Sequence, residues 1–425
     1  MNILVVGGGG REHAIIKKLR ESARVTKIYA LPGNGGIAAD AECVDIGAKD
    51  IDGITRFAVE NHIDFAVVAP DDPLVLGAVD SLEGAGIPCF GPDKKAAIIE
   101  GSKIFSKNLM KKYNIPTASY RTFTDMAAAL EYVKTAPMPT VIKADGLALG
   151  KGAVIVENVE EAQKTVRAMM EERIFGESGA SIVVEEFLTG PEVSVLAFTD
   201  GETLVPMVSS MDHKRALDGD AGLNTGGMGT VAPNPYYTEA VAAECMETIF
   251  LPTIRAMQAE GRPFKGCLYF GLMLTKDGPK VIEYNCRFGD PETQVVLPLL
   301  ETDLLTIMEA VHDGTLSQVQ VDFAKECACC VILASKGYPG KYETGFAITV
   351  PDNLKAQVFF AGARRQDGKL YSAGGRVLGV TARAATLQGA IDAAYAAADQ
   401  IAFANAYCRR DIGQRALQAL SCGAQ

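Results

Sequence analysis

The stretch Val281-Ile282-Glu283-Tyr284-Asn285-Cys286-Arg287-Phe288-Gly289-Asp290-Pro291-Glu292-Thr293-Gln294 reads as an apolar strand running into a polar turn. Residues two apart on a strand share one face, so Glu283, Asn285 and Arg287 point the same way. A carboxylate and an amide oxygen side by side suit Mg²⁺, which takes a few protein oxygens together with substrate phosphates. The fork of Arg287 matches a carboxylate or a phosphoryl group. Cys286 faces the other way, into a core. Three polar groups on one face, directly after Val281-Ile282, read poorly as solvated decoration.

Upstream, residues 140–156 (TVIKADGLALGKGAVIV) join two short strands through a glycine-rich loop. The spacing is wrong for a P-loop: three residues, not four, separate Gly146 from Gly150, Gly152 follows Lys151, and a strand rather than a helix comes next. What remains is a hairpin with Lys143 at the end of one strand and Lys151 in the loop. Such a hairpin can close over a triphosphate; an exposed hairpin with two solvated lysines fits the loop equally well. Residues 183–195 (VVEEFLTGPEVSV) offer backbone and an apolar wall, Glu185-Glu186-Phe187-Leu188, to a planar base, and Glu192 to a ribose hydroxyl. Paired surface glutamates explain that motif as readily.

At the N-terminus, VVGGGGREHA (5–14) places a glycine turn after a first strand, where backbone N–H groups and a helix start attract anions. The dinucleotide fingerprint fails. Its closing glycine position falls on Glu12 or His13, and the second strand ends Ala30-Leu31-Pro32 with no acid for a ribose diol. The turn is therefore a phosphate or substrate cradle without NAD, or simply a tight turn. Strands at 3–6, 27–30, 65–68 and 87–90 alternate with helices such as 13–20 and 73–82. That alternation predicts a parallel sheet covered on both faces, with loops 7–10, 32–36 and 70–73 gathered at its carboxyl end. Residues 209–229 form a long charged, glycine-rich segment of the length that usually carries function. Neither His13 nor His213 has a Ser or Cys partner pattern, which argues against a nucleophilic triad.

The whole chain has 425 residues, 48% of them hydrophobic, so it can bury a large core and is not mainly disordered. Its 41 Lys+Arg stand against 52 Asp+Glu, a net charge of -11, the wrong balance for a general nucleic-acid binder. No stretch is apolar enough to span a bilayer, and the N-terminus lacks a signal-peptide pattern. The ten cysteines are scattered, which predicts neither a disulfide framework nor a structural metal site and points to a reducing, cytoplasmic setting.

From residue 102 onward the pattern changes. A helix over 103–113 leads into a small α+β unit of two hairpin-joined strands and two helices over 119–186. A larger unit follows, with strands at 192–199, 266–275 and 280–284 and helices at 240–260 and 304–313. A last mixed unit covers 326–425, with strands near 329–334 and 355–360 and an alanine-rich helix from 386.

The order of these pieces carries a resemblance: the glycine turn, GSKIFSK, VIKADGLALGKG, EEFLTGPE, DHKRALDGDAGLNTGGMG, VIEYNCRFGDPETQ, and the C-terminal GYP and GGRVL elements. It resembles the ATP-grasp ligases and, over essentially the whole chain, the glycinamide ribonucleotide synthetase (phosphoribosylamine–glycine ligase) family. RFGDPE is the specific part. The resemblance implies an ATP-grasp fold: an N-terminal Rossmann-like domain (1–101), a larger ATP-grasp subdomain (102–118 plus 187–325), a small lid (119–186) and a C-terminal mixed α/β domain (326–425). It implies joining glycine to 5-phosphoribosylamine with ATP and Mg²⁺ or Mn²⁺, by a monomer or weak dimer of the cytoplasm with small-molecule partners only, through glycyl phosphate.

Carried over residue by residue, Lys103 and Lys143 contact ATP phosphates, and the loop with Gly146, Gly150, Lys151 and Gly152 covers them. Glu185, Phe187 and Leu188 bind adenine, Glu192 the ribose, and Glu283 with Asn285 the metal. Gly8, Gly9, Gly10 and Asn34 receive phosphoribosylamine. Arg287 holds the glycine carboxylate and then its acyl phosphate, and Asp212 the glycine ammonium; with Lys143 these are the expected catalytic residues. Two departures stand out. The strand before Glu283 offers Leu272 and Met273 where a second metal carboxylate is common, leaving the number of metal ions open, and Phe360 stands where relatives often carry His. The nearest rival is another ATP-grasp enzyme, one that carboxylates a purine-pathway ribonucleotide. A dinucleotide oxidoreductase and a non-catalytic nucleotide-binding module are the readings from other classes.

Overall fold

The computed structural model describes residues 1–148 and 152–423. Asn2–Gly7, Lys27–Pro32, Phe65–Val68, Glu42–Cys43 and Cys89–Phe90 form one parallel sheet. Its central strand is buried from Ile3 to Val6, as a sheet covered on both faces requires. Leu4 and Val6 join one core, Ile3 and Val5 the other. The three expected loops do meet. A Cβ on Gly8 would come within 2.2 Å of the Gly33 carbonyl oxygen, and one on Gly7 within 2.9 Å of Pro70. The expected helix over 73–82 is two helices, Asp71–Leu76 and Ala78–Gly84, broken where Gly77 turns left-handed at φ 95°.

The small unit is an antiparallel sheet of Tyr120–Phe123, Ile182–Glu186, Thr140–Ala144 and Ala153–Val156, backed by the helices Met126–Val133 and Val159–Met170. It has its own core, built on Val133, Ile142, Val166, Met169 and Val184. The larger sheet (Leu204–Pro206, Glu192–Thr199, Gly266–Thr275, Gly278–Asn285) instead shares both of its cores with the N-terminal sheet. Those two units are therefore one packed body, whereas the small unit has a private interior.

Two further expectations are corrected. The helix over 240–260 is Glu239–Cys245 and Leu251–Ala259 joined by a π-turn at Met246–Phe250, beside Pro252, which has no N–H to continue a regular ladder. The C-terminal sheet does not begin at 326. Met211–Asp212 pairs with Gly229–Ala232, which pairs onto Cys327–Ser335, and the sheet continues to Arg376–Ala384 and Gln357–Phe360. The glycine-rich segment thus leaves the larger unit and is stitched into the C-terminal one. Phe360 lies at the seam with the N-terminal sheet: its N–H donates to His13 Nδ1 at 2.8 Å and its ring lies 5.9 Å from that imidazole. Because an N–H can only donate, His13 carries its proton on Nε2 and gives it to Asp40 at 2.9 Å. All ten cysteines are free thiols. Among the described residues no helix is long and apolar enough to cross a membrane.

Candidate active site

One cleft of about 590 Å³ runs between the small sheet, the larger sheet and the C-terminal unit. It brings together Lys103, Lys143, Gly152, Glu185, Phe187, Leu188, Glu192, Asp212, Glu283, Asn285 and Arg287.

Its floor is the end of the strand Gly278–Asn285. A bulge there pairs Gly271 with Glu283 and Leu272 with Val281, so Ile282 has no partner across the strands and its carbonyl is released to accept from Lys143 Nζ at 3.0 Å. Asn285 Nδ2 donates to Glu100 Oε1 at 2.9 Å and to the Tyr284 carbonyl at 3.0 Å. The described residues supply no hydrogen-bond partner to Asn285 Oδ1 or to the Glu283 carboxylate, and both groups line the cleft. Burial opposes ionisation of Glu283, but Lys214, Lys143, Lys103 and Arg287 hold its carboxyl below the usual range. One charged oxygen ligand with one neutral one fits a cation that draws its other ligands from phosphate and water. Among the described residues no three His, Cys, Asp or Glu side chains gather to cage an ion unaided.

The cations come from two places. Ser102 caps the helix Lys103–Lys112, and its hydroxyl and the Ile104 N–H both bond Asp145 at 3.0 Å. Lys103 Nζ donates to the Gly146 carbonyl at 2.7 Å, so Gly146 tethers a lysine from the mouth of the loop. Lys107, one turn further on, pairs with Glu185 at 2.5 Å and donates to Thr117 at 2.8 Å; Lys143 pairs with the same carboxylate. Burial pushes the Lys107 ammonium down to about 8. The Glu185 carbonyl accepts from Thr140 and its backbone pairs within the sheet, while its carboxylate, at the wall of the cleft, anchors two lysines. Beside them, Val141, Ile155, Val183, Leu188 and Met273 line an apolar slot suited to a flat aromatic ring. Glu192 pairs with Lys214 at 3.0 Å at its rim. Gly150 and Lys151 lie outside the described residues.

At the far end, Asp212 and Glu292 stand together. Burial, and then each other's charge, raise Asp212 well above the carboxylate range; burial raises Glu292 as well. Arg287 Nη2 donates to Glu100 at 3.0 Å and Nη1 to the Phe288 carbonyl at 3.2 Å, while its Nε is buried with no partner among the described residues. Arg376, from the C-terminal sheet, donates to the Gly226 and Asp290 carbonyls, each at 2.8 Å, and pairs with Asp290 at 3.4 Å.

The glycine turn lies behind this end and does not line the cleft. Gly9 N–H donates to Glu12 Oε2 at 2.6 Å, and a Cβ on Gly10 would meet Gln294 at 2.7 Å. Asn34 packs against this turn. Its Nδ2 donates to the Gly8 and Phe360 carbonyls, and its Oδ1 accepts from the Gly36 and Ile37 N–H groups, so the side chain is committed to holding loops together. Residues the sequence reading left unassigned are Arg11, Glu100, Lys107, Lys214, Asp290, Glu292 and Arg376. All but Glu100 lie within the quoted motifs, and Lys107 also stands four residues after Lys103 on the same helix face.

Residues 1–100, 101–293 and 328–415 match, respectively, the N domain, the ATP-grasp (A) domain and the C domain of phosphoribosylglycinamide synthetase. The phosphoribosylamine–glycine ligase of Caldanaerobacter subterraneus subsp. tengcongensis is 49% identical over 97% of this chain and 99% of its own. That of Rhodopirellula baltica is 47% identical over 98% of each. A crystal structure of the Thermotoga maritima phosphoribosylamine–glycine ligase superposes with a TM-score of 0.87 at 32% identity, over 97% of this chain and all of that one. A Campylobacter jejuni biotin carboxylase, solved as a β-γ-ATP complex, shares the fold alone, with a TM-score of 0.74 at 15% identity over 95% of this chain and 92% of that one. With all three domain models in register along the chain and that degree of identity, the chain belongs to the phosphoribosylglycinamide synthetase family of ATP-grasp enzymes.

Proposed function

We propose that this cleft joins glycine to 5-phosphoribosylamine, converting ATP to ADP and phosphate and giving glycinamide ribonucleotide, a purine precursor. The observation that carries the reading is one continuous cleft. An apolar slot and a lysine group stand at one end, paired acids and guanidiniums at the other, and the unpartnered Arg287 Nε between them.

A carboxylate forms an amide only after it gains a leaving group, so glycine's carboxylate attacks the γ-phosphorus to give glycyl phosphate. The slot, with Phe187 and Leu188, holds adenine, and Glu192 a ribose hydroxyl. Lys103 and Lys143 lie against the phosphates, and preorganised charge there stabilises the transferring phosphoryl group. The hairpin with Gly146 and Gly152 closes above them and keeps water from the acyl phosphate. Mg²⁺ or Mn²⁺, held by Glu283 and Asn285, supplies charge neutralisation on the triphosphate. Arg287 fixes the glycine carboxylate. Asp212, whose neighbour Glu292 leaves that corner short of a cation, takes the ammonium. The amine of phosphoribosylamine then enters from the side of Gly8–Gly10, attacks the acyl carbon, and phosphate leaves. No protein nucleophile is involved.

ADP release measured with glycine or the amine omitted in turn tests this. Release is expected only with both present, and bicarbonate should not replace glycine. Glycine-independent release, or release driven by bicarbonate, would refute it in favour of a carboxylase.

A further inference from the structure

Glu100 closes the helix Lys94–Gly101, the last helix before the ATP-grasp units, and its carboxylate is buried. It reaches three consecutive residues of the cleft floor: Oε1 accepts from Asn285 Nδ2 at 2.9 Å and Arg287 Nη2 at 3.0 Å, and Oε2 accepts from the Cys286 N–H at 2.7 Å. The Cys286 N–H and Arg287 Nη2 can only donate, so both Glu100 oxygens serve as acceptors, and the end of the Asn285 amide that faces them must be the NH₂. The Tyr284 carbonyl, another obligate acceptor, claims that same end at 3.0 Å. The orientation of the amide is therefore dictated by its partners, and Oδ1 has nowhere to point but into the cleft beside Glu283.

We infer that Glu100 is a positioning residue for divalent-cation binding: from a neighbouring domain it locks the Asn285 amide with its oxygen toward the metal, while holding Arg287 in the same grip. This rests on the reading of Glu283 and Asn285 as the metal pair. Outer-shell hydrogen bonds to a ligand of this kind set its orientation, and removing them costs metal affinity. A glutamine at position 100 has one oxygen and one NH₂. If its oxygen serves Asn285 and Arg287, its NH₂ opposes the Cys286 N–H. If it is turned the other way, its NH₂ opposes the Asn285 NH₂, which swings over and brings a donor, useless to a cation, into the cleft. Pairing Glu100→Gln with Asn285→Asp relieves the clash between the two NH₂ groups, because the new carboxylate accepts from the glutamine NH₂ and still offers an oxygen to the metal, while Arg287 Nη2 is left facing that NH₂ and the Tyr284 carbonyl loses its donor.

The test is binding of Mn²⁺ with ADP to the full-length chain, followed by the EPR spectrum of the bound ion, with thermal melts to establish folding. The unaltered chain should bind Mn²⁺ in a nucleotide-dependent site that Glu283→Gln abolishes. Glu100→Gln should weaken binding about 10- to 100-fold, and Glu100→Gln/Asn285→Asp should recover part of that loss. If Glu100→Gln does not fold, Asn285→Asp alone decides. Set against an intact Glu100 it should bind Mn²⁺ more weakly despite the added charge, and equal or tighter binding overturns the inference. If Glu283→Gln abolishes the site but Glu100→Gln leaves affinity unchanged, the role of Glu100 is wrong and the metal pair stands. If the unaltered chain shows no nucleotide-dependent Mn²⁺ site, the metal pair itself falls and Glu100 with it.

Discussion

Glu185→Gln removes the anion that two buried ammoniums share, and its consequences are specific enough to test the electrostatic account of the cleft. Lys107 and Lys143 are both inaccessible and both pair with that carboxylate. Breaking a buried ion pair by deleting one partner typically costs ~3–5 kcal/mol, because the remaining charge stays buried without compensation. Lys107 offers an escape, since burial already pushes it down to about 8. Shedding its proton at pH 7 costs only ~1.4 kcal/mol. The sign follows from linkage. A lysine whose folded value is depressed binds fewer protons folded than unfolded above that value, so stability rises with pH there. Without Glu185 the folded value drops further and the window widens downward. The variant should therefore lose ~3–5 kcal/mol at pH 6 and recover ~1–2 kcal/mol of it by pH 9, read from urea unfolding followed by circular dichroism. ATP should stabilise it more than it stabilises the unaltered chain, because the triphosphate brings back the missing negative charge. Equal loss at both pH values, or an ATP shift no larger than that of the unaltered chain, would refute the lysine-clamp reasoning.

Arg287→Ala should lower turnover by at least ~10²-fold, the usual effect of deleting one preorganised donor to the reacting group; near-normal turnover in the ADP-release assay would remove Arg287 from the chemistry. His213 is buried at the root of the glycine-rich segment, donates from Nδ1 to the Gly229 carbonyl and accepts the Gly413 N–H at Nε2, and is pushed down to about 4 by burial. The unfolded chain then binds the extra proton, so stability falls with acidity: about 2 kcal/mol between pH 7 and pH 5. His213→Gln, whose amide can make both hydrogen bonds, should flatten that slope in urea titrations. Gly8→Ala sets a methyl group against the Gly33 carbonyl. It should cost ~1–3 kcal/mol of stability and raise the KM for the amine while leaving that for ATP unchanged; an altered ATP KM alone would place the turn at the wrong end of the cleft.

What could be read in the sequence, and what could not, divides along the range of the physical signal. The face shared by Glu283, Asn285 and Arg287 follows from the period of two and survives the bulge at Ile282, because the bulge lies before the polar residues. The mismatch of Glu12 with a dinucleotide turn is also local, and in the structure Glu12 folds back on Gly9 N–H and fills the space above Gly7. Asn34 carries a local signal of its own: an Asn before Gly-Gly commonly bonds the backbone two residues on, as it does here to Gly36. The lysines that meet Glu185 could not be read, because alternation shows which face a residue takes but not what stands opposite, and they arrive from other segments.

The same reasoning explains why the contacts of Glu100, Glu292 and Arg376 could not be read from the sequence, although Glu292 and Arg376 lie within quoted motifs. Glu100 and Asn285 are 185 residues apart, and Arg376 meets Asp290 across 86; no periodicity links such positions. The reach of these contacts has a functional sense. Under the proposed function the small unit, which has its own core, would move over ATP, whereas the metal and glycine positions would hold their geometry through each opening and closing. Tying residues 285–287 to Glu100 and residues 226–290 to Arg376 fastens the reacting end of the cleft to the N- and C-terminal units, the two bodies that share Phe360 and His13 across their seam. Residues that must move can be specified within one segment; those that must stay fixed are held by partners drawn from the far ends of the chain.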